Sequence, residues 1–118
     1  MDKPPYSTIG REIIAETPDL RVALMTLAPG QATPWHHHSE IADTAFGLTG
    51  AARVEVRGGP NELGEEKIEL RELMPGARVR VGPRRVHRVV NAGAGRCSYL
   101  LVQGVGKYDF LEAGQNPG

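Results

Sequence analysis

The chain has 118 residues, enough for one hydrophobic core and too few for two. Fourteen basic and fourteen acidic residues cancel, which excludes a general pull toward nucleic acid or an anionic membrane, and no run reaches the roughly 18 apolar residues of a membrane helix. A single cysteine, Cys97, excludes an intramolecular disulfide and suits a reducing compartment; with no signal-peptide stretch at Met1-Asp-Lys-Pro-Pro-Tyr, a cytoplasmic location is expected.

Fifteen glycines and nine prolines imply many turns, and the few aromatic residues leave a core of Val, Leu, Ile and Ala, which favours a small all-β domain. Residues 1–10 carry two prolines and no periodic pattern, so an arm is expected there. Arg11–Glu16 is compatible with a short strand, and Leu20–Leu27 is a stronger one with Leu20, Val22 and Leu24 on one face. Pro29-Gly30 turns the chain into Gln31-Ala-Thr-Pro-Trp-His36-His37-His38-Ser-Glu40. Asp43–Leu48 is a further strand, turned at Thr49-Gly50. Ala52–Arg57 alternates, with Val54 and Val56 inward and the charges outward.

Residues 58–66 form the one long loop, glycine-rich, acidic and expected to be mobile. Lys67–Glu72 and Arg78–Val81 alternate on either side of the Pro75-Gly76 turn. Arg85–Val90 places His87 and Val89 on one face, and Ser98–Gln103 is the last apolar strand. Tyr108, Phe110 and Leu111 follow, then a flexible tail over 112–118. About eight short strands and no convincing helix describe an antiparallel barrel or sandwich.

His36 and His38 stand two apart, so on an extended strand both point to one face and can close on a single metal ion. A nearby carboxylate, Asp43 or in second place Glu40, adds an oxygen ligand, and His87 is the second half of the site. His37 alternates to the opposite face. Glu40 has a further reading, as the partner that fixes the tautomer of a ligand histidine.

The two histidine stretches resemble the paired motifs of the cupin superfamily, in its small single-domain form. Gly30, His36, His38 and Gly50 fall in register with the first motif, with Asp43 where glutamate is usual. Gly76, His87 and Asn91 fall in register with the second, while Gly82 takes the motif's proline position and Arg84 its glycine position. The resemblance implies a single-domain antiparallel β-barrel of jelly-roll type. It also implies that His36, His38, Asp43 and His87 hold one divalent transition metal, Fe, Mn, Ni, Co or Zn. Homodimers are common among cupins of this size. Here the N-terminal arm and the apolar Tyr108–Leu111 segment, which have no obvious home in so small a barrel, are expected to pack on a second subunit.

The remaining residues have plainer readings. Trp35 either stacks on a substrate or, more commonly for a lone Trp, belongs to the core or an interface. Arg80, Arg84 and Arg88 read as solvated charges, one of which is a candidate for an anionic substrate. Cys97 reads as a small buried apolar residue and Asn91 as a turn cap. Two functions compete: a metalloenzyme of dioxygenase, isomerase or lyase type acting on a small organic molecule, and a ligand-binding or sensing module without turnover. An enzyme needs a group to move protons, for which the candidates are Asp43, Glu40 and Tyr99.

Overall fold

The computed structural model describes residues 10–60 and 66–114, and among these there is no helix. In chain order the strands are β1 (Gly10–Thr17), β2 (Leu20–Leu27), β3 (His36–His37), β4 (Ala42–Thr49), β5 (Ala52–Pro60), β6 (Glu66–Leu73), β7 (Arg78–Val81), β8 (His87–Asn91), β9 (Cys97–Gly104) and β10 (Leu111–Glu112). They form two five-stranded antiparallel sheets, ordered β1-β2-β9-β4-β7 and β10-β3-β8-β5-β6. The all-β expectation therefore holds, in the two-sheet arrangement of a jelly roll.

Between the sheets lies a core of short and branched side chains, among them Met25, Leu27, Val54, Val56, Val89 and Tyr99. In β2 the buried set is Arg21, Ala23, Met25 and Leu27, so Leu20, Val22 and Leu24 share the outer face, where they are half-buried. Both faces of this strand are apolar, so its alternation does not say which one turns in. Pairing with β9 decides it. Cys97 is buried in the core, and Asn91 ties a turn together by donating to Leu27 O (3.0 Å) and Gly95 O (2.8 Å) and accepting from Gly93 N (2.9 Å).

Three expectations change. The long loop is shorter, because β5 runs on to Pro60 and β6 starts at Glu66; residues 61–65 lie outside the described residues. Glu55 faces outward yet is buried, because Arg53 Nε (3.0 Å) and Arg88 Nε (2.7 Å) close over its carboxylate. The C-terminal segment folds back on its own barrel: β10 pairs with β3, and Ala113 N donates to Trp35 O at 2.8 Å. Arm residues 1–9 and tail residues 115–118 lie outside the described residues.

Gly50 shows why the motif glycines stand where they do. Its φ is 73°, and a Cβ there would fall 2.5 Å from Arg96 O, so any side chain collides with backbone. Arg84 occupies the motif's other glycine position and adopts φ 65° all the same. Its N–H donates to His38 O at 2.7 Å, which ties the second motif to the first.

Candidate metal centre

Strand pairing assembles the site. His36 on β3 stands directly opposite His87 on β8, which joins the two histidine stretches in one register. Thr33 reinforces the seam: its N–H donates to Val89 O and its Oγ1 accepts from Val89 N, both at 2.9 Å. Asp43 is presented from the other sheet, where β4 sets it opposite Gln103 and Val81. One ligand atom from each of His36, His38, Asp43 and His87 lies within 4.8 Å of the others, and all four residues are buried.

The hydrogen bonds fix the tautomers. His36 Nδ1 meets Pro34 O at 2.7 Å, His87 Nδ1 meets Arg85 O at 2.8 Å, and His38 Nδ1 meets Asp109 O. A carbonyl oxygen can only accept, so each Nδ1 carries the proton. A neutral ring then shows an Nε2 lone pair to Asp43 Oδ2, which lies 2.7 Å from His87, 3.0 Å from His38 and 3.8 Å from His36. Acceptors at these distances repel unless a cation stands among them, either a proton or a metal ion. Three imidazoles aimed this way, with one carboxylate, form a donor set that fits a divalent transition metal.

Charge follows the same logic. Burial alone raises the Asp43 pKa, but the imidazoles of His36, His38 and His87, which take up a proton toward its carboxylate in the metal-free site, outweigh it and hold the carboxyl well below the usual 3.8. Burial lowers His36 below 6.5 despite Asp43. At His38 burial also lowers the pKa, but the bond and charge of Asp43 win, so the net shift is upward. The carboxylate thus stays ionised in a dry setting.

Gln103, Tyr108 and Phe110 complete the surroundings. Gln103 Nε2 donates to Asp43 Oδ1 at 3.0 Å and so holds the carboxylate with Oδ2 toward the imidazoles. Phe110 stacks on His36 with centroids 4.7 Å apart, and Tyr108 stands 5.6 Å from His38. The two rings line the same cavity as His36, Asp43 and His87. The free space there is about 20 Å³ for the centre of a water-sized sphere, which is room for about one water.

Against the sequence-based expectations, the structure unites His36, His38, Asp43 and His87 and leaves Glu40 outside. The Glu40 side chain is exposed and does not line the cavity, because residues 39–41 leave the strand and Asp43, not Glu40, is returned to the interior by β4. The tautomer-fixing role considered for it is filled by backbone carbonyls. His37 is half-buried and turned from the group. Tyr99 lines the cavity from β9. Trp35 is buried, with the guanidinium groups of Arg57 (4.7 Å) and Arg88 (4.6 Å) over its ring, so Arg88 is not a solvated charge. Arg80 and Arg84 are exposed, as expected. Gln103 was legible in retrospect: it follows Tyr99 and Leu101 at period two, and a polar residue in phase with a buried face needs a polar partner. Tyr108 and Phe110 carried no such signal.

The sequence matches the cupin-domain family over residues 23–103, from β2 to β9. The chain belongs to the cupin family. No functionally curated protein matches it in sequence. Among solved structures this cupin resembles a protein with a double-stranded beta-helix domain from Klebsiella pneumoniae, with 24% identity and TM-score 0.72 over 96% of this chain and 90% of that one. It also resembles KdgF from a Halomonas species, with 22% identity and TM-score 0.68 over 89% and 87% of the two chains. A recombinant oxalate oxidase in complex with glycolate aligns with 17% identity and TM-score 0.71 over 87% of this chain. The chain spans about half of that oxidase (53%) and of the latex cysteine peptidase peruvianin-I from Thevetia peruviana (56%). Identities this low speak for the fold alone.

Proposed function

We propose that this cupin is a mononuclear metalloenzyme acting on a small organic molecule, with one divalent transition ion held by His36, His38, His87 and Asp43. The observation that carries the reading is the set of three Nδ1-to-carbonyl hydrogen bonds, which turns three buried Nε2 atoms on one carboxylate oxygen. A bound ion would supply Lewis acidity or redox chemistry, in a reaction of dioxygenase, isomerase or lyase type. The chain's own residues do the rest. Gln103 keeps Asp43 oriented, while Phe110 and Tyr108 exclude bulk water. With Glu40 outside, proton transfer falls to Asp43 or to the phenols of Tyr99 and Tyr108, which line the cavity.

One observation favours a module that binds the metal without turnover instead: the free space beside the group holds about one water. Elemental analysis of untagged protein, purified without added metal, addresses the shared premise. One equivalent of Fe, Mn, Ni, Co or Zn is expected, lost in His36→Ala, His38→Ala and His87→Ala and kept in His37→Ala. Equal retention in all four variants would sink the site. Metal-loaded protein inert in oxygen-uptake, isomerase and lyase screens would favour the binding module.

A homodimer remains our proposal, on a changed basis. Tyr108 and Phe110 serve their own site, so the apolar surface in need of cover is the outer face of the first sheet. Val22, Leu24, Phe46, Leu100 and Val102 are half-buried there and Leu48 is 46% exposed. No helix among the described residues is long and apolar enough to cross a membrane.

A further inference from the structure

The outer face of the first sheet is ordered by charge as well as by hydrophobicity. Residues paired directly across neighbouring strands share a face, so the registers give its rows. One row runs Glu12, Leu24, Leu100, Phe46, Arg78 from edge to edge. The next runs Ala15, Val22, Val102, Thr44, Arg80. Arg11 and Ile13, on either side of Glu12, lie opposite the buried Met25 and Ala23 and turn inward. The face is thus an apolar stripe over β2, β9 and β4, with an acid on the β1 rim and two arginines on the β7 rim.

Both rims are unspent. Glu12, Arg78 and Arg80 are exposed, and none has an ion-pair partner among the described residues. Neighbouring charges are engaged: Arg21 with Glu16, Arg53 and Arg88 with Glu55, and Arg71 with Glu69. Between the rims, Leu24, Leu100 and Phe46 stay half-buried within their own chain. A surface that is apolar in the middle, acidic at one end and basic at the other is complementary to itself once its order is reversed.

We propose that a second copy of this chain covers the face, related by a twofold axis that runs along β9. The interface rests on the homodimer proposed above. Rotation about an axis parallel to the strands reverses their order and keeps each row, so β1 of one copy lies over β7 of the other. Glu12 meets Arg78 of the partner subunit at one end of the row, and the reciprocal pair closes the other end. Leu100 packs on its own mate at the axis, and Leu24 packs on Phe46 of the partner subunit. An axis across the strands would set acid over acid and arginine over arginine, which repels. Five strands about 4.8 Å apart, over about 26 Å of strand, give a face of roughly 600 Å² per copy. Two such faces exceed the total of about 1,000 Å² at which specific interfaces begin.

The test is sedimentation equilibrium of the full-length protein, comparing wild type, Glu12→Arg, Arg78→Glu and an equimolar mixture of these two variants. Wild type is expected to be a dimer at micromolar concentration. E12R and R78E each bring like charges together at both ends of the row, and each should dimerise roughly tenfold more weakly or worse. Mixed, they set opposite charges at both ends again, and a heterodimer should form within about threefold of the wild-type affinity. Leu100→Arg puts two like charges on the axis and should leave a monomer. A dimeric wild type that E12R and R78E match, or a mixture as weak as its parts, overturns this interface while the homodimer stands. A dimer that persists in L100R does the same. A wild type that is monomeric at every concentration overturns the homodimer and the interface together. Circular dichroism on the same samples reports folding; should L100R fail to fold, the rim variants, both at exposed positions, decide.

Discussion

His38 donates its Nδ1 proton to the backbone carbonyl of Asp109, so a candidate ligand from the first motif is oriented by a residue 71 positions further along the chain. The bond joins the metal group to the segment that carries Tyr108 and Phe110 over the cavity. Orientation of a ligand and closure of the mouth are therefore linked in one backbone stretch. The position of that stretch is fixed by the β10–β3 pairing and by the Asp109–Ser39 bonds. Four expectations follow from the contacts around the site.

Phe110 seals the cavity by stacking on His36. Replacing it with alanine should speed removal of metal by an excess of a chelator at least severalfold, because the ring no longer covers the Nε2 side of the site. The cost in stability should be about 2 kcal/mol, below the range for truncating a fully buried aromatic because the ring is only half-buried. Stopped-flow chelation reads the first effect and thermal unfolding of metal-free protein the second. An unchanged stripping rate would mean that metal leaves by another route.

Gln103 acts on the site through Asp43. Gln103→Leu removes the donor to Asp43 Oδ1 and leaves a buried carboxylate oxygen without it. The expected loss is about 1–3 kcal/mol in stability and roughly tenfold or more in metal affinity. Competition against a chelator of known strength measures the affinity. Undiminished affinity would show that the imidazoles alone hold the carboxylate in place.

The pH dependence has a definite sign. His38 is raised above 6.5 in the fold, so the stability it lends the metal-free protein is complete below 6.5 and is lost as pH rises through its folded value. A metal ion competes with that proton for Nε2. Metal affinity should therefore climb by about tenfold per pH unit above 6.5, while one proton is displaced, and flatten once His38 is neutral. The metal-induced rise in melting temperature should grow over the same window. His36 is lowered, so its competition is confined to the range below 6.5. Asp43 lends its stability above 3.8 and loses it only as pH falls through its depressed folded value. Isothermal titration at several pH values checks the slope, and a flat profile above 6.5 would contradict it.

Arg84 holds a left-handed conformation, φ 65°, at the motif's glycine position. A side chain there costs roughly 1–2 kcal/mol, partly offset because glycine loses more freedom on folding. Arg84→Gly should therefore stabilise the protein by about 0.5–1 kcal/mol, read by chemical denaturation. The residue is exposed and its contact to His38 is made by the backbone, so metal content should not change.

The sequence by itself determined the class of fold and most of the candidate ligand set. Period-two alternation in β2, β5, β7 and β9, the turn dipeptides at Pro29-Gly30 and Pro75-Gly76, and the spacing of His36, His38 and His87 are local features, and strand geometry converts them into faces. Choosing Asp43 over Glu40 needed more. Counting residues onward loses its meaning where the chain leaves β3 after His37, and only pairing of β4 with β7 and β9 turns Asp43 inward. The same holds for Glu55, buried under Arg53 of its own strand and Arg88 of neighbouring β8, and for the inward face of β2. Gln103, Arg11, Tyr108 and Phe110 come from opposite ends of the chain and meet only because two sheets close on each other. Alternation states that two neighbours point apart. It carries no information on which partner awaits either of them, and that partner, set by long-range backbone pairing, decides what each side chain does.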